Sequence, residues 1–225
     1  MSGLALSFQA TPATRPLSKL QKEVLFYVSA PDDPEALEVA QIGLNDGIVR
    51  LNMRNWVWSL DYDDIGLIAD TADYPIASSF RAPRHLALLD SNSNPVSQLT
   101  WETPKSFEMR FPHAPIPGTP THYTVFNSNE LGTFSLNYKP SSSFVGFSPI
   151  ARVRYYRRME RLTFPTDSIA APSDAESFVV WHARMLAAAV YAPDRMDRAE
   201  RQADKAWRLM VQDDMKSQTS DRSDQ

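Results

Sequence analysis

A chain of 225 residues with 43% hydrophobic and 22% charged side chains has material for one large domain, or for a domain carrying a substantial insertion. It has no cysteine, which excludes disulfides, thiolate metal sites and a cysteine nucleophile and points to an intracellular origin. A net charge of −4 argues against electrostatic gripping of nucleic acid, and the most apolar stretch, Met185 to Ala192, is too short for a membrane span.

The opening sixteen residues lack the basic start and apolar run of a secretion signal and read as a leader. Leu17, Leu20, Val24, Tyr27 and Val28 then fall at helical spacing. A second helix follows, with Asp33 as N-cap, Pro34 at its first position and Glu35 near the positive dipole end. Its stripe is Leu37, Ala40, Leu44, Ile48 and Leu51, and it is expected to end near Asn55-Trp56.

From Trp56 the pattern changes to short extended runs broken by Pro, Ser and Asn. Strands are expected at 85–89, 98–102, 122–126, 133–138 and 151–157, and also over Ser106 to Phe111, where Phe107, Met109 and Phe111 alternate with Glu108 and Arg110. Asn127 to Gly132 reads as a hairpin connection, so the middle of the chain is expected to be an antiparallel β module.

Helical periodicity returns after Pro172. Ser173 and Glu176 have capping-box spacing, and Phe178, Trp181, Met185 and Ala188 or Ala189 form the stripe of the helix they begin. Pro193 starts another helix, with Met196, Ala199, Ala203, Ala206, Trp207 and Met210 on one face and a dense run of charges on the other. Asp213 and Asp214 sit unfavourably at its expected C-terminal end, which therefore frays or docks on something, and the polar residues after it have no reason to fold alone. The expected architecture is α+β: a four-helix bundle from the two terminal pairs (17–55 and 172–214), an inserted antiparallel β module (56–171), a leader (1–16) and a flexible tail (215–225).

Little in the sequence points to catalysis. His85, His113, His122 and His182 are scattered without metal-ligand spacing, and His182 beside Trp181 reads as a core-edge histidine. The carboxylates Asp61, Asp63 and Asp64 lack EF-hand spacing and read as a solvated loop following Trp56 and Trp58, themselves core plugs at a helix end. Walker, nucleophile-elbow and dinucleotide-binding motifs are absent, and no cofactor is expected. The run Ala151 to Arg161, with five arginines and two tyrosines, has a composition that suits phosphates or an acidic partner, but reads more simply as the solvated face of a strand.

Several blocks, in order, resemble the head-to-tail adaptor (head completion) proteins of tailed bacteriophages, including the tail tubular or gatekeeper type. They are Leu44 to Trp58 with its Trp-rich end, Asp70 to Ile76, whose Tyr74-Pro75 is similar to that family's Tyr-x-Pro entry, Tyr123 to Pro140, Arg152 to Arg158, and the helical hairpin of Pro172 to Asp214. The proline-rich stretch from Pro104 to Pro120 departs from that pattern, so the loops facing the tail do not transfer. The resemblance implies a non-enzymatic virion protein of the neck, assembled in the host cytoplasm. It would form a homo-oligomeric ring of about twelve copies beneath the portal and bind the portal protein and a tail tube or nozzle protein. Double-stranded DNA would pass through without specific binding, and no membrane is involved. The portal contact is expected around Trp207, Met210 and Lys216. Rival readings are a stopper or tail tube component, a hydrolase acting through Asp63, Asp64 or Glu102, and a glycan-binding module using Trp101.

Overall fold

The computed structural model describes residues 15–113, 115–126 and 132–223, and the side chains of these up to residue 218. Most of the leader and the centre of the expected hairpin connection therefore lie outside the described residues. The fold is α+β, and the chain divides into two compact units, one comprising residues 1–58 and 159–225 and the other residues 59–158.

The first unit is helical. Helix α1 spans Leu17–Val28 and α2 spans Pro34–Asn52, where Asp33 caps the helix by accepting hydrogen bonds from the Glu35 and Ala36 amides at 2.9 and 3.3 Å. Helix α5 (Ser173–Tyr191) packs against α1, α2 and α6 (Pro193–Ser223). The shared core includes Leu20, Val24, Leu44, Ile48, Trp56, Val179 and Ala183. Trp56 and Trp58 do plug this core: the Trp56 indole donates to the Leu51 carbonyl at 2.8 Å and stacks on Trp58.

Two glycines one turn apart set the approach of α2 to α5. A Cβ on Gly43 would lie 2.9 Å from the Ala183 Cα, and one on Gly47 would lie 3.1 Å from the Val179 Cα, so the two backbones meet with nothing between them. The returning segment 159–162 is clamped to α2 by two amide side chains. Asn45 accepts from the Leu162 amide (2.8 Å) and donates to its carbonyl (3.0 Å), and Asn52 does the same with Met159 (2.9 Å each).

Two expectations for the helices fail for identifiable reasons. The capping box does not form, because α5 begins after Pro172 and the Glu176 side chain turns inward to pair with Arg15. A guanidinium is a stronger partner for a carboxylate than a backbone amide. Nor is the helix lost after Asp214: α6 continues to Ser223. Asp214 is buried and accepts a 2.7 Å bond from the Val57 amide, with Arg54 at 3.4 Å, so it caps the short 3-10 turn Val57–Ser59 from the middle of α6.

His182 sits in this core, with Nε2 2.6 Å from the Asp46 carboxylate. Burial pushes the imidazole below the usual histidine range against the opposing pull of Asp46, so it is neutral and donates through Nε2. Between 6.5 and that lowered value the unfolded chain binds the extra proton, so stability falls as pH drops through this window. The loss of urea midpoint between pH 7.5 and 5.5 is expected to be smaller in His182→Gln than in the parent; equal losses would show that His182 does not contribute.

The second unit holds a seven-stranded sheet in the order β1-β9-β3-β4-β6-β7-β2. The strands are β1 (Leu60–Gly66), β2 (Asp73–Pro75), β3 (Phe80–Leu89), β4 (Pro95–Trp101), β6 (His122–Phe126), β7 (Thr133–Leu136) and β9 (Ile150–Arg157). Strands β5 (Pro117–Gly118) and β8 (Lys139–Pro140) form a separate short ladder. The sheet is mixed rather than purely antiparallel, since β4 pairs with β6 in parallel. A parallel pair needs a long crossover, and residues 102–121 supply it.

That crossover contains α3 (Pro104–Arg110) where a strand was expected. Thr103 caps α3 through the Ser106 amide, Pro104 fills the first position, and Phe107 and Phe111 pair four residues apart with ring centres 5.2 Å apart. Met109, inward in the alternating reading, is 75% exposed. A second short helix, α4 (Ser142–Phe147), precedes β9.

Candidate assembly surfaces

The most extended outward surface of the helical unit is α6. At 31 residues it is about 46 Å long, against about 28 Å for the 19 residues of α5. The two helices form a hairpin turning at Ala192, with Phe178 against Trp207 at 5.0 Å between ring centres. That register brings the start of α5 level with residue 212, so the end of α6 projects beyond it.

The inward stripe of α6 is Ala199, Ala203, Met210 and Asp214. Its outward side carries Arg198, Arg201, Lys205 and Arg208 at successive spacings of three, four and three, which places them in one row, with a row of Asp197, Glu200 and Asp204 beside it. All seven are exposed, and the four cations are not engaged in ion pairs among the described residues. Along the flank facing α5, Trp181, Lys205, Ala206 and Leu209 line a shallow groove.

The expected portal-contact residues are placed differently from one another. Trp207 is packed between Trp56 (5.3 Å) and Phe178 (5.0 Å), and Met210 is buried, so both hold α6 to the core. Lys216 is exposed on the projecting end and pairs with Asp213 at 3.1 Å. Sequence spacing already placed Trp207 and Met210 on the same stripe as Ala199 and Ala203, which is the signal that they face inward.

In the β unit, Asp61, Asp63 and Asp64 lie on strand β1 and not in a loop. Arg152 on β9 grips Asp64 through two 2.7 Å bonds and lies over the Tyr62 ring at 4.8 Å. Those hydrogen bonds hold the Asp64 carboxyl below the usual carboxylate range. The arginine run thus alternates as a strand face should, with Ala151, Val153 and Tyr155 buried and Arg154 exposed. Burial, then Arg154 and Arg84, push the nearby His85 imidazole down.

Glu102 accepts from Arg110 (2.6 Å) and Ser106 (3.1 Å) and is held as part of the α3 crossover.

Trp101, at the end of β4, is 45% exposed, beside an open hollow lined by Thr103, Lys105, Ser106, Met109 and Arg110. Among the described residues, no group of three or more His, Asp or Glu side chains is arranged to hold a metal ion, and no helix is long and apolar enough to cross a membrane.

What the described residues present, then, is a pair of units with charged, solvated helix and strand faces. The chain belongs to the SU10 adaptor protein family, whose model matches residues 15–225, and the resemblance carried by its ordered blocks is to phage adaptors of this kind. No curated protein matches the chain.

Proposed function

We propose that this protein is a head-to-tail adaptor of a tailed phage, forming a ring of about twelve copies beneath the portal, connecting the capsid to the tail and lining part of the DNA channel. The observation that carries the reading is the family match over residues 15–225, which takes in both units and the whole of α6. In this reading α1, α2, α5 and α6 form a four-helix bundle, and the β unit, inserted between its halves, meets a tail tube or nozzle protein. A net charge of −4 suits a channel through which DNA passes without sticking, because like charge disfavours phosphate contacts. The work is mechanical rather than catalytic, and its place is the virion neck, with assembly in the host cytoplasm.

The portal contact is assigned to the projecting end of α6 around Lys216, held in place by Trp207 and Met210. Removing residues 211–225 would also remove Asp214, which is buried and caps Val57, so that truncation damages the core. Removing 216–225 spares it. Mixing the full chain with the portal protein of the same phage is expected to give stacked rings by electron microscopy, and the 216–225 deletion is expected to weaken attachment while leaving the fold intact. Persistent monomers from the full chain would sink the ring, and undiminished attachment of the truncated chain would sink the assignment of its end.

A further inference from the structure

On α5, Val179 and Ala183 face α2, beneath Gly47 and Gly43. Trp181 lines the groove shared with α6, two residues and therefore about 200° of helical rotation from Val179. Helices α2 and α6 thus flank α5 on opposite sides, and their outward faces point away from each other.

Those two faces carry opposite charge. The outward row of α2 is Glu35, Glu38 and Ile42, followed by Asp46, which His182 and Arg50 hold. Glu35 and Glu38 are exposed and are not engaged in ion pairs among the described residues; Ile42 is 59% exposed between them and Asp46. The facing row of α6 is Arg198, Arg201, Lys205 and Arg208, with Leu209 47% exposed beside it.

The rows also overlap in level, Arg198 with Glu38 and Arg201 with Ile42. Gly43 lies opposite Ala183, so Glu38, five residues earlier in the antiparallel α2, lies opposite residue 188. Trp207 lies opposite Phe178, so Arg198, nine residues earlier, lies opposite residue 187. Two complementary faces on opposite sides and at one level can be brought together by rotation without an axial step, which closes a ring instead of growing a filament.

We propose that copies of this chain associate head-to-tail, the α6 row Arg198, Arg201, Lys205 and Arg208 of one copy docking on the α2 row Glu35, Glu38 and Ile42 of the next. This rests on the ring proposed above and specifies its contact. Opposite charges set the register and select against wrong pairings, while Ile42 supplies apolar area level with the Arg201 stem. The acidic row Asp197, Glu200 and Asp204 borders the contact and repels a copy that is displaced sideways.

The chain has no cysteine, so single cysteines report the contact cleanly. With the portal protein present, Glu38→Cys combined with Arg198→Cys in one chain is expected to give a ladder of disulfide-linked oligomers under mild oxidation, and either change alone only monomers. Arg198→Glu with Arg201→Glu is expected to lower ring yield on the order of tenfold, and adding Glu35→Lys with Glu38→Lys to restore it. Dimers from Glu38→Cys alone would indicate a symmetric contact and overturn the proposal. Rings that form at unchanged yield in the charge-reversed chain, without the ladder, would overturn this contact while leaving the ring. If the parent chain forms no ring, the ring itself fails and this contact with it.

Discussion

Replacing Gly43 with valine is expected to lower the stability of the helical unit by about 2–3 kcal/mol, the usual cost of forcing extra carbon into a packed contact. The new Cβ would sit 2.9 Å from the Ala183 Cα and 3.1 Å from its Cβ. Neither neighbour is the end of a flexible side chain, so α2 must move off α5. Removing a helical glycine works the other way, by about 1 kcal/mol for alanine and less for a β-branched residue. The clash therefore outweighs the gain for valine. Gly47 is less tight, at 3.1 Å from Val179, so Gly47→Ala should lie nearer neutral. Four of the five tryptophans, Trp56, Trp58, Trp181 and Trp207, belong to the helical unit, so urea unfolding followed by tryptophan fluorescence in a Trp101→Phe background reports it directly. A midpoint for Gly43→Val at or above that of the parent would show that α2 and α5 are not held as closely as described.

The helices were legible where an apolar stripe coincided with a cap, as at Asp33 and Pro34 of α2. The end of α6 was not, because residues after Asp214 carry no stripe. Continuing a helix already nucleated by packing is far easier than starting one, so α6 extends through polar sequence that would not form a helix alone. Residues 104–110 failed for a different reason: Phe107, Met109 and Phe111 fit a strand, while Phe107 and Phe111 alone fit a helix. The Thr103-Pro104 start decides the matter. The parallel pairing of β4 with β6 had one trace in the sequence, a connection too long for a hairpin.

The assembly surfaces divide in the same way. The row Arg198, Arg201, Lys205 and Arg208 follows from spacing alone, as does the inward placement of Trp207 and Met210. That Glu38 and Arg198 stand level on opposite sides of α5 depends on two tertiary registers, Gly43 with Ala183 and Phe178 with Trp207. No local pattern encodes these. Asp214 shows the same limit: in sequence it is an acid badly placed against a helix dipole, and only the fold reveals the Val57 amide it accepts from.

Replacing Arg15 with alanine is expected to cost the helical unit about 2–4 kcal/mol, because it strands a buried charge. Glu176 is 4% exposed in its side chain and pairs with Arg15, which also reaches Glu23 at 2.6 Å. The Arg15 side chain is 32% exposed, so water can partly replace it, and the lower part of that range applies if the site opens on mutation. The second change separates charge from packing. Glu176→Gln in the Arg15→Ala background removes the uncompensated carboxylate and should recover most of the lost urea midpoint, whereas a deficit due to lost arginine contacts alone would remain. Arg15 is also where the family match begins, immediately before Pro16 bridges to Ser168 and the Leu17 amide donates to the Asp167 carbonyl at 2.6 Å. Three separate attachments thus fasten the start of α1 to the returning chain and to α5. Loss of the first is expected to loosen α1 before α2, so amide exchange should accelerate first at residues 17–24, and uniform acceleration through α2 would show that the two helices open as one.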